Sequence, residues 1–251
     1  MKISICIDSI FESIDSIEAL ATVKAAGFGA FEFWLWHNKD MEAPTAKARE
    51  LGLDCVAFCT REFNLTDHDK RAGFIQGIKD SIVMAKKHNT PFLITQSGDD
   101  TGKERSFQHK SIVAGLKEAA PLLEESGITL LLEPLNDKID HKGIYLVSSN
   151  ESFEIIDEVV SPNIKVLFDI YHQQISEGDI IRQMTSNLDK IGHIHCAGNP
   201  GRHELDSGEL DYARIFKALD SAGYSGYAGM EYFPKEAGTE SLKRIKEMTN
   251  E

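Results

Sequence analysis

The run ITLLLE at residues 128–133 is apolar or β-branched through five positions and closes on a carboxylate, Glu133. Three later runs repeat that plan: IKVLFD closes on Asp169, IGHIH on His195 and GYAGME on Glu231. Runs this short and apolar read as strands buried on both faces, and a parallel sheet gathers the C-terminal ends of its strands along one edge. Two glutamates, an aspartate and a histidine therefore meet there. Such a set suits one divalent cation, Mn²⁺ or Mg²⁺, and leaves two carboxylates able to move protons.

Outward from these runs the chain alternates strand-like with helix-like segments. KISICI from Lys2, AFEFWL from Ala30, LDCVAF from Leu53 and PFLITQ from Pro91 complete a set of eight strands. The stretches between are amphipathic, as in SIDSIEALATVKAAG from Ser13, which stops at Gly27; the same stop recurs at Gly52, Gly127 and Gly223. Eight strands in 251 residues is about one βα unit per thirty residues, the repeat of a (β/α)₈ barrel. An open doubly wound sheet is the rival architecture. CIDSIFES after the first strand has no Gly-rich phosphate loop, which argues against that rival as a nucleotide binder and against a nucleotide cofactor. No linker or composition break interrupts the pattern, so residues 1–251 read as one domain. The longest irregular stretches, 136–149 and 197–211, each follow a strand that ends in a ligand-type residue, where loops of a barrel build the site.

Composition narrows the partners. A chain that is 41% hydrophobic can bury a large core, while a net charge of −13 without a Lys/Arg block repels nucleic acid and anionic lipid. An anionic substrate then needs a local cation. The N-terminus lacks a signal peptide's apolar core, and no apolar stretch approaches the ~20 residues that span a bilayer, so the expectation is a cytoplasmic protein with no membrane partner. Oligomeric state stays open, a homo-oligomer included. Cys6, Cys55, Cys59 and Cys196 read as buried, reduced thiols.

Four features refine the chemistry. Pro134 keeps Glu133 extended, and His172 in FDIYHQQ stands three residues beyond Asp169, a spacing that points both side chains into one cavity. In HIH, His193 and His195 share one face of a strand. The loop AGNPGRHELDSGELDY offers Arg202 to a substrate carboxylate, the alternative being a surface arginine paired with Glu204 or Asp206. FEFWLWHNKD puts Trp34, Trp36 and His37 at the same edge as an apolar wall, with Phe31 and Phe33 in the core.

The segments LLLEPLN, VLFDIYHQQ, GHIHCAGNPGRHELDSGELDY and GYAGMEYFP, in this order and spacing, resemble the hydroxypyruvate isomerase branch of the xylose isomerase-like TIM barrel superfamily. The likeness runs through most of the chain, and P-G-R-H-E-x-D-x-G-E is its most specific piece. It implies a single (β/α)₈ TIM barrel with Glu133, Asp169, His195 and Glu231 as metal ligands, Glu133 and Glu231 doubling as the catalytic acid/base pair, and His172 and Arg202 on the substrate. The implied reaction converts hydroxypyruvate to 2-hydroxy-3-oxopropanoate (tartronate semialdehyde) by enediolate proton transfer between two glutamates, without a redox cofactor. One departure stands out. Hydroxypyruvate isomerases commonly carry Gln where this chain has His195, and histidine there resembles the ketose 3-epimerases of the superfamily; those, however, carry a substrate-binding glutamate where this chain has Ile139. The superfamily also includes endonuclease IV-like enzymes with three zinc ions, but the positions of their extra ligands are held here by Cys59, Thr60 and Arg61, by Gln96 and by Gly201. A sugar-binding barrel without catalysis is the remaining alternative, and the presence of both glutamates speaks against it.

Overall fold

Each apolar run forms a strand in the computed structural model, which describes residues 1–12, 14–61 and 63–249. Ser13, where the first amphipathic stretch was expected to begin, lies outside the described residues. The strands are β1 (Lys2–Cys6), β2 (Ala30–Glu32), β3 (Asp54–Cys55), β4 (Ala57–Cys59), β5 (Phe92–Thr95), β6 (Thr129–Leu132), β7 (Ile164–Asp169), β8 (Ile191–Cys196) and β9 (Tyr227–Met230). They form one sheet in the order β3-β2-β1-β9-β8-β7-β6-β5-β4, and the paired strands run parallel.

Nine segments stand where eight strands were expected because the third run changes neighbour at Val56. Asp54 and Cys55 pair with β2, Ala57 to Cys59 pair with β5, and Val56 bonds to both sides: its N–H donates to Phe31 O (2.8 Å) and its carbonyl accepts from Phe92 N (3.3 Å). Two further bonds, Phe33 N–H to Ala57 O (3.3 Å) and Cys59 N–H to Trp34 O (2.8 Å), join the chain beyond β2 to β4 and close the ring. The second run is shorter than expected. At Trp34 the N–H leaves the ladder and donates to Asp8 Oδ2 (2.9 Å), which ends regular pairing three residues into AFEFWL.

Helices α1 (Ile7–Ile10), α2 (Ser16–Ala25), α3 (Glu42–Leu51), α4 (Arg71–His88), α5 (Arg105–Ser126), α6 (Ser149–Val159), α7 (Ile170–Ser176), α8 (Ile180–Ser186), α9 (Tyr212–Ser221) and α10 (Gly238–Thr249) alternate with the strands. The glycine stops hold: Gly27, Gly52, Gly127 and Gly223 all take positive φ, the conformation that ends a helix at least cost in a residue without Cβ. The largest apolar cluster lies between strands and helices, while a second one, with Val56, Ala57, Ile94, Leu131 and Leu167, is built from the strands alone. The period of two explains what sits above it. Leu131 and Glu133, Leu167 and Asp169, and His193 and His195 are inward-facing pairs, so each strand contributes an inner residue and then a polar end. Phe31 and Phe33 are buried and stacked, as expected of core residues. The cysteines are reduced and burial pushes all four thiols up, Cys55 to about 12. Among the described residues no helix is long and apolar enough to cross a membrane.

Candidate active site

Glu133, Asp169, His195 and Glu231 converge, all four buried, with one ligand-type atom from each lying within 4.8 Å of the others. Register brings them level: Asp169 is the partner of His195, and His195 of Gly229, two residues before Glu231. Asp169 uses Oδ1 to cap α7, accepting from His172 N–H (3.0 Å), and leaves Oδ2 to the cluster. His195 Nδ1 is buried without a hydrogen bond, 3.6 Å from Glu133 Oε1 and 3.5 Å from Glu231 Oε2. An orphaned imidazole nitrogen among three carboxylates fits a divalent cation: one nitrogen and carboxylate oxygens are ligands that Mn²⁺ accepts.

The cluster carries opposing fields. Burial alone would raise Glu231, but Arg202 and His195 outweigh it and hold its carboxyl well below the ordinary range. Its two oxygens are both engaged, Oε1 by the Trp34 indole N–H (2.6 Å) and Oε2 by a short ion pair with Arg202. Asp169 goes the other way: burial raises it, and Arg202, whose nearest nitrogen is 3.9 Å away, only partly compensates. His195 is pushed well above its usual value despite burial, because Glu231 and Glu32 surround it.

His172 differs in kind. Asn136 Oδ1 accepts from Ile139 N–H (3.0 Å) and Asp140 N–H (3.2 Å), which orients its amide; Nδ2 then donates to Asp140 Oδ2 (2.7 Å) and to His172 Nδ1 (2.6 Å). With Nδ1 an acceptor, the ring proton sits on Nε2, which is buried, unpartnered and 3.6 Å from Asp169 Oδ2. Burial, reinforced by Arg202, pushes His172 down to about 3, so it is a neutral donor.

Glu133, His172, His195 and Glu231 line a cavity of about 280 Å³ walled by Trp34, Leu35, Phe63, Leu135 and His141. A larger hollow of about 430 Å³, lined by Asp54, Lys86, Asn89 and Tyr227, brings together no comparable set of ligand-type residues. Arg202 stands in the cavity wall and pairs with Glu231, not with Glu204 or Asp206 as the surface alternative had it. Glu204 instead accepts from Lys235 N–H (2.8 Å) and Glu236 N–H (3.2 Å), Asp206 pairs with Arg244, and His203 faces Phe233 O (2.8 Å). Arg202 itself is in the left-handed region (φ 57°), a conformation uncommon for a residue with a Cβ, held by the loop that carries it. One expectation needs correction. Of Trp34, Trp36 and His37, only Trp34 lines the cavity, because the Trp36 indole turns to Ser81 Oγ (3.3 Å) on α4. Ile139 is two-thirds exposed and is not part of the wall.

Glu32 is the residue that reading the sequence missed. It lies buried in the strand-two run, with Oε2 accepting from His193 Nε2 (2.9 Å) and Oε1 2.8 Å from His195 Nε2, a short contact at a bent angle. Burial would raise it, yet His193 and His195 hold it at about 2. Its signal was a lone charge inside an apolar strand, which costs too much to bury without partners.

A family model described as xylose isomerase-like TIM barrel matches residues 20–248. A Danio rerio protein provisionally named hydroxypyruvate isomerase is 33% identical over 245 residues, covering 90% of this chain and 88% of that one. The hydroxypyruvate isomerase of Escherichia coli is 29% identical, covering 95% and 96%. A 2-oxo-tetronate isomerase of Cupriavidus necator is 40% identical over 143 residues, 57% of this chain and 55% of its own. Among solved structures, that of an AP endonuclease, family 2, from Brucella melitensis superposes with a TM-score of 0.93 at 26% identity, over 98% of both chains.

Proposed function

Because the chain belongs to the hydroxypyruvate isomerase family of the xylose isomerase-like TIM barrels, we propose that it interconverts hydroxypyruvate and 2-hydroxy-3-oxopropanoate with the help of one divalent cation. At the coarser level it is an isomerase of small hydroxy-keto acids. The observation that carries the finer reading is the convergence of Glu133, Asp169, His195 and Glu231 within 4.8 Å beside a 280 Å³ cavity that also holds the Arg202 guanidinium and the His172 imidazole. The volume suits a three- or four-carbon acid.

Glu133, Asp169, His195 and Glu231 would hold the cation, Mn²⁺ or Mg²⁺, whose contribution when bound is Lewis-acid polarisation of the substrate's carbonyl. Arg202 takes the substrate carboxylate: its guanidinium is the cation in the cavity wall, and exchanging Glu231 for the incoming acid keeps it paired. His172 Nε2–H donates to a substrate oxygen and, being neutral, lends no net charge that would fix the proton there. The proton on C3 of hydroxypyruvate passes to one glutamate, Glu133 or Glu231, and is returned to C2, while the hydroxyl proton moves from O3 to O2. Atoms balance without a redox partner. Trp34, Leu35, Phe63 and Leu135 keep the reacting carbons among apolar walls.

The test is kcat/KM for hydroxypyruvate, a four-carbon 2-oxo acid, and the neutral ketoses fructose, tagatose and psicose, each with Mn²⁺ or Mg²⁺. The acids should be preferred. Preference for the ketoses moves the assignment to a 3-epimerase. The likeness to the Brucella AP endonuclease raises a second reading, cleavage of abasic-site DNA. Against it stand the net charge of −13 and Cys59 and Gln96 in the cavity where that chemistry needs further ligands. Metal-dependent incision that survives repurification would restore it.

A further inference from the structure

Below the four-residue cluster lies a second buried set, Glu32, His193 and His195, which shares His195 with it. We propose that Glu32 is a positioning residue: it holds the proton of His195 on Nε2 and so presents the Nδ1 lone pair to the cation. This rests on the cation reading above and deepens it.

Three observations carry the proposal. The two nitrogens of His195 face different carboxylates, Nε2 towards Glu32 at 2.8 Å and Nδ1 towards Glu133 and Glu231 at 3.6 and 3.5 Å. Glu32 is fully enclosed, and its other oxygen accepts from His193 Nε2 at 2.9 Å, so the carboxylate stands between two imidazole rings. The barrel also makes room for it. A Cβ on Gly229, across from His195 in the register, would collide with the Glu32 carboxyl group. A charge buried this deeply on an inner strand is costly unless paired, and a metal-ligating imidazole almost always donates its other ring N–H to an outer partner. His193 then has its own place. It supplies the second donor facing Glu32, stacked over Phe92 with ring centroids 6.0 Å apart.

The experiment titrates Mn²⁺ into wild type, Glu32→Gln and Glu32→Leu, by calorimetry or by the EPR signal of free Mn²⁺, with thermal melts of the metal-free proteins alongside. Loss of such an outer partner weakens metal binding by about 10- to 100-fold, so Glu32→Leu should show that loss and Glu32→Gln, which keeps one acceptor oxygen, a smaller one. Ring-nitrogen NMR of the Zn²⁺-loaded wild type supplies a readout that general destabilisation would not move: His195 should carry its proton on Nε2. A His195 proton on Nδ1 in the loaded protein overturns the proposal outright. So does wild-type Mn²⁺ affinity in a folded Glu32→Leu protein; should that variant not fold, wild-type affinity in Glu32→Gln has the same force. A wild-type protein that takes up no Mn²⁺ overturns the cation reading together with this one, whereas normal uptake in every variant overturns only the role of Glu32.

Discussion

Glu133 and Glu231 share a cluster but not an environment. Glu231 is gripped by Trp34 and Arg202, and Glu133 has His195 Nδ1 at 3.6 Å as its nearest ion-pair partner. Both are assigned to ligation and proton transfer, so Glu133→Gln and Glu231→Gln should each lower kcat by about 10²–10⁴-fold. Measuring turnover at saturating Mn²⁺ separates the two tasks, and near wild-type turnover in either variant with metal bound defeats the two-glutamate scheme. Arg202→Ala should cost about 2–5 kcal/mol in kcat/KM for an acid substrate, the range for truncating one partner of a buried charge pair, and much less for a neutral ketose. Equal losses on both substrate classes would remove Arg202 from the carboxylate. The polar ends of four strands, with His172, could be read as a set from residue type and spacing alone, and Arg202 as one of two alternatives. Glu32, Asn136 and the bond of the Trp34 indole to Glu231 could not, because these depend on which side chain lies across the barrel: Trp34 and Glu231 are 197 residues apart in the chain and 2.6 Å apart in space.

Strands announced themselves as elements because a run buried on both faces must be apolar, and their ends did not because pairing stops where another acceptor competes. Asp8 takes the Trp34 N–H, and Val56 bonds to two neighbours. Between helices the same competition has a pH-dependent case. His109 on α5 reaches Glu151 (3.1 Å) and Glu158 (2.9 Å) on α6, and although burial lowers it, Glu158 and Glu151 together raise it above its ordinary 6.5. A histidine with a raised folded value adds stability that is full below about pH 6.5 and is lost as pH climbs through the folded value. The pair is partly exposed, so the contribution is about 0.2–1 kcal/mol. Urea unfolding of wild type and His109→Gln should therefore show a larger gap at pH 6 than at pH 9. An identical gap at both would mean that the contact carries no charge.

At the scale of the molecule, the site concentrates four acidic side chains, Glu32, Glu133, Asp169 and Glu231, against Arg202 and the imidazoles of His193 and His195. Loading with a cation should tighten the whole barrel, since the ligands proposed for it come from four successive strands. Mn²⁺ at about 100 times its Kd adds about 2.7 kcal/mol, which for a chain of this length raises Tm by about 5–10 °C. Scanning calorimetry with and without Mn²⁺ checks this, and an unchanged Tm would argue that no ion binds there. The sequence by itself determined the parallel barrel, the edge on which the site lies and the chemical class of the residues that meet there. These follow from local pattern: apolar runs must be buried, and parallel strands end on one side. Only the tertiary structure decided which nitrogen of His195 faces the cluster, that Arg202 turns inward, and that Glu32 lies beneath. Those are matters of which groups become neighbours once the ring of strands closes, and neighbours far apart in the chain leave no periodicity in the sequence.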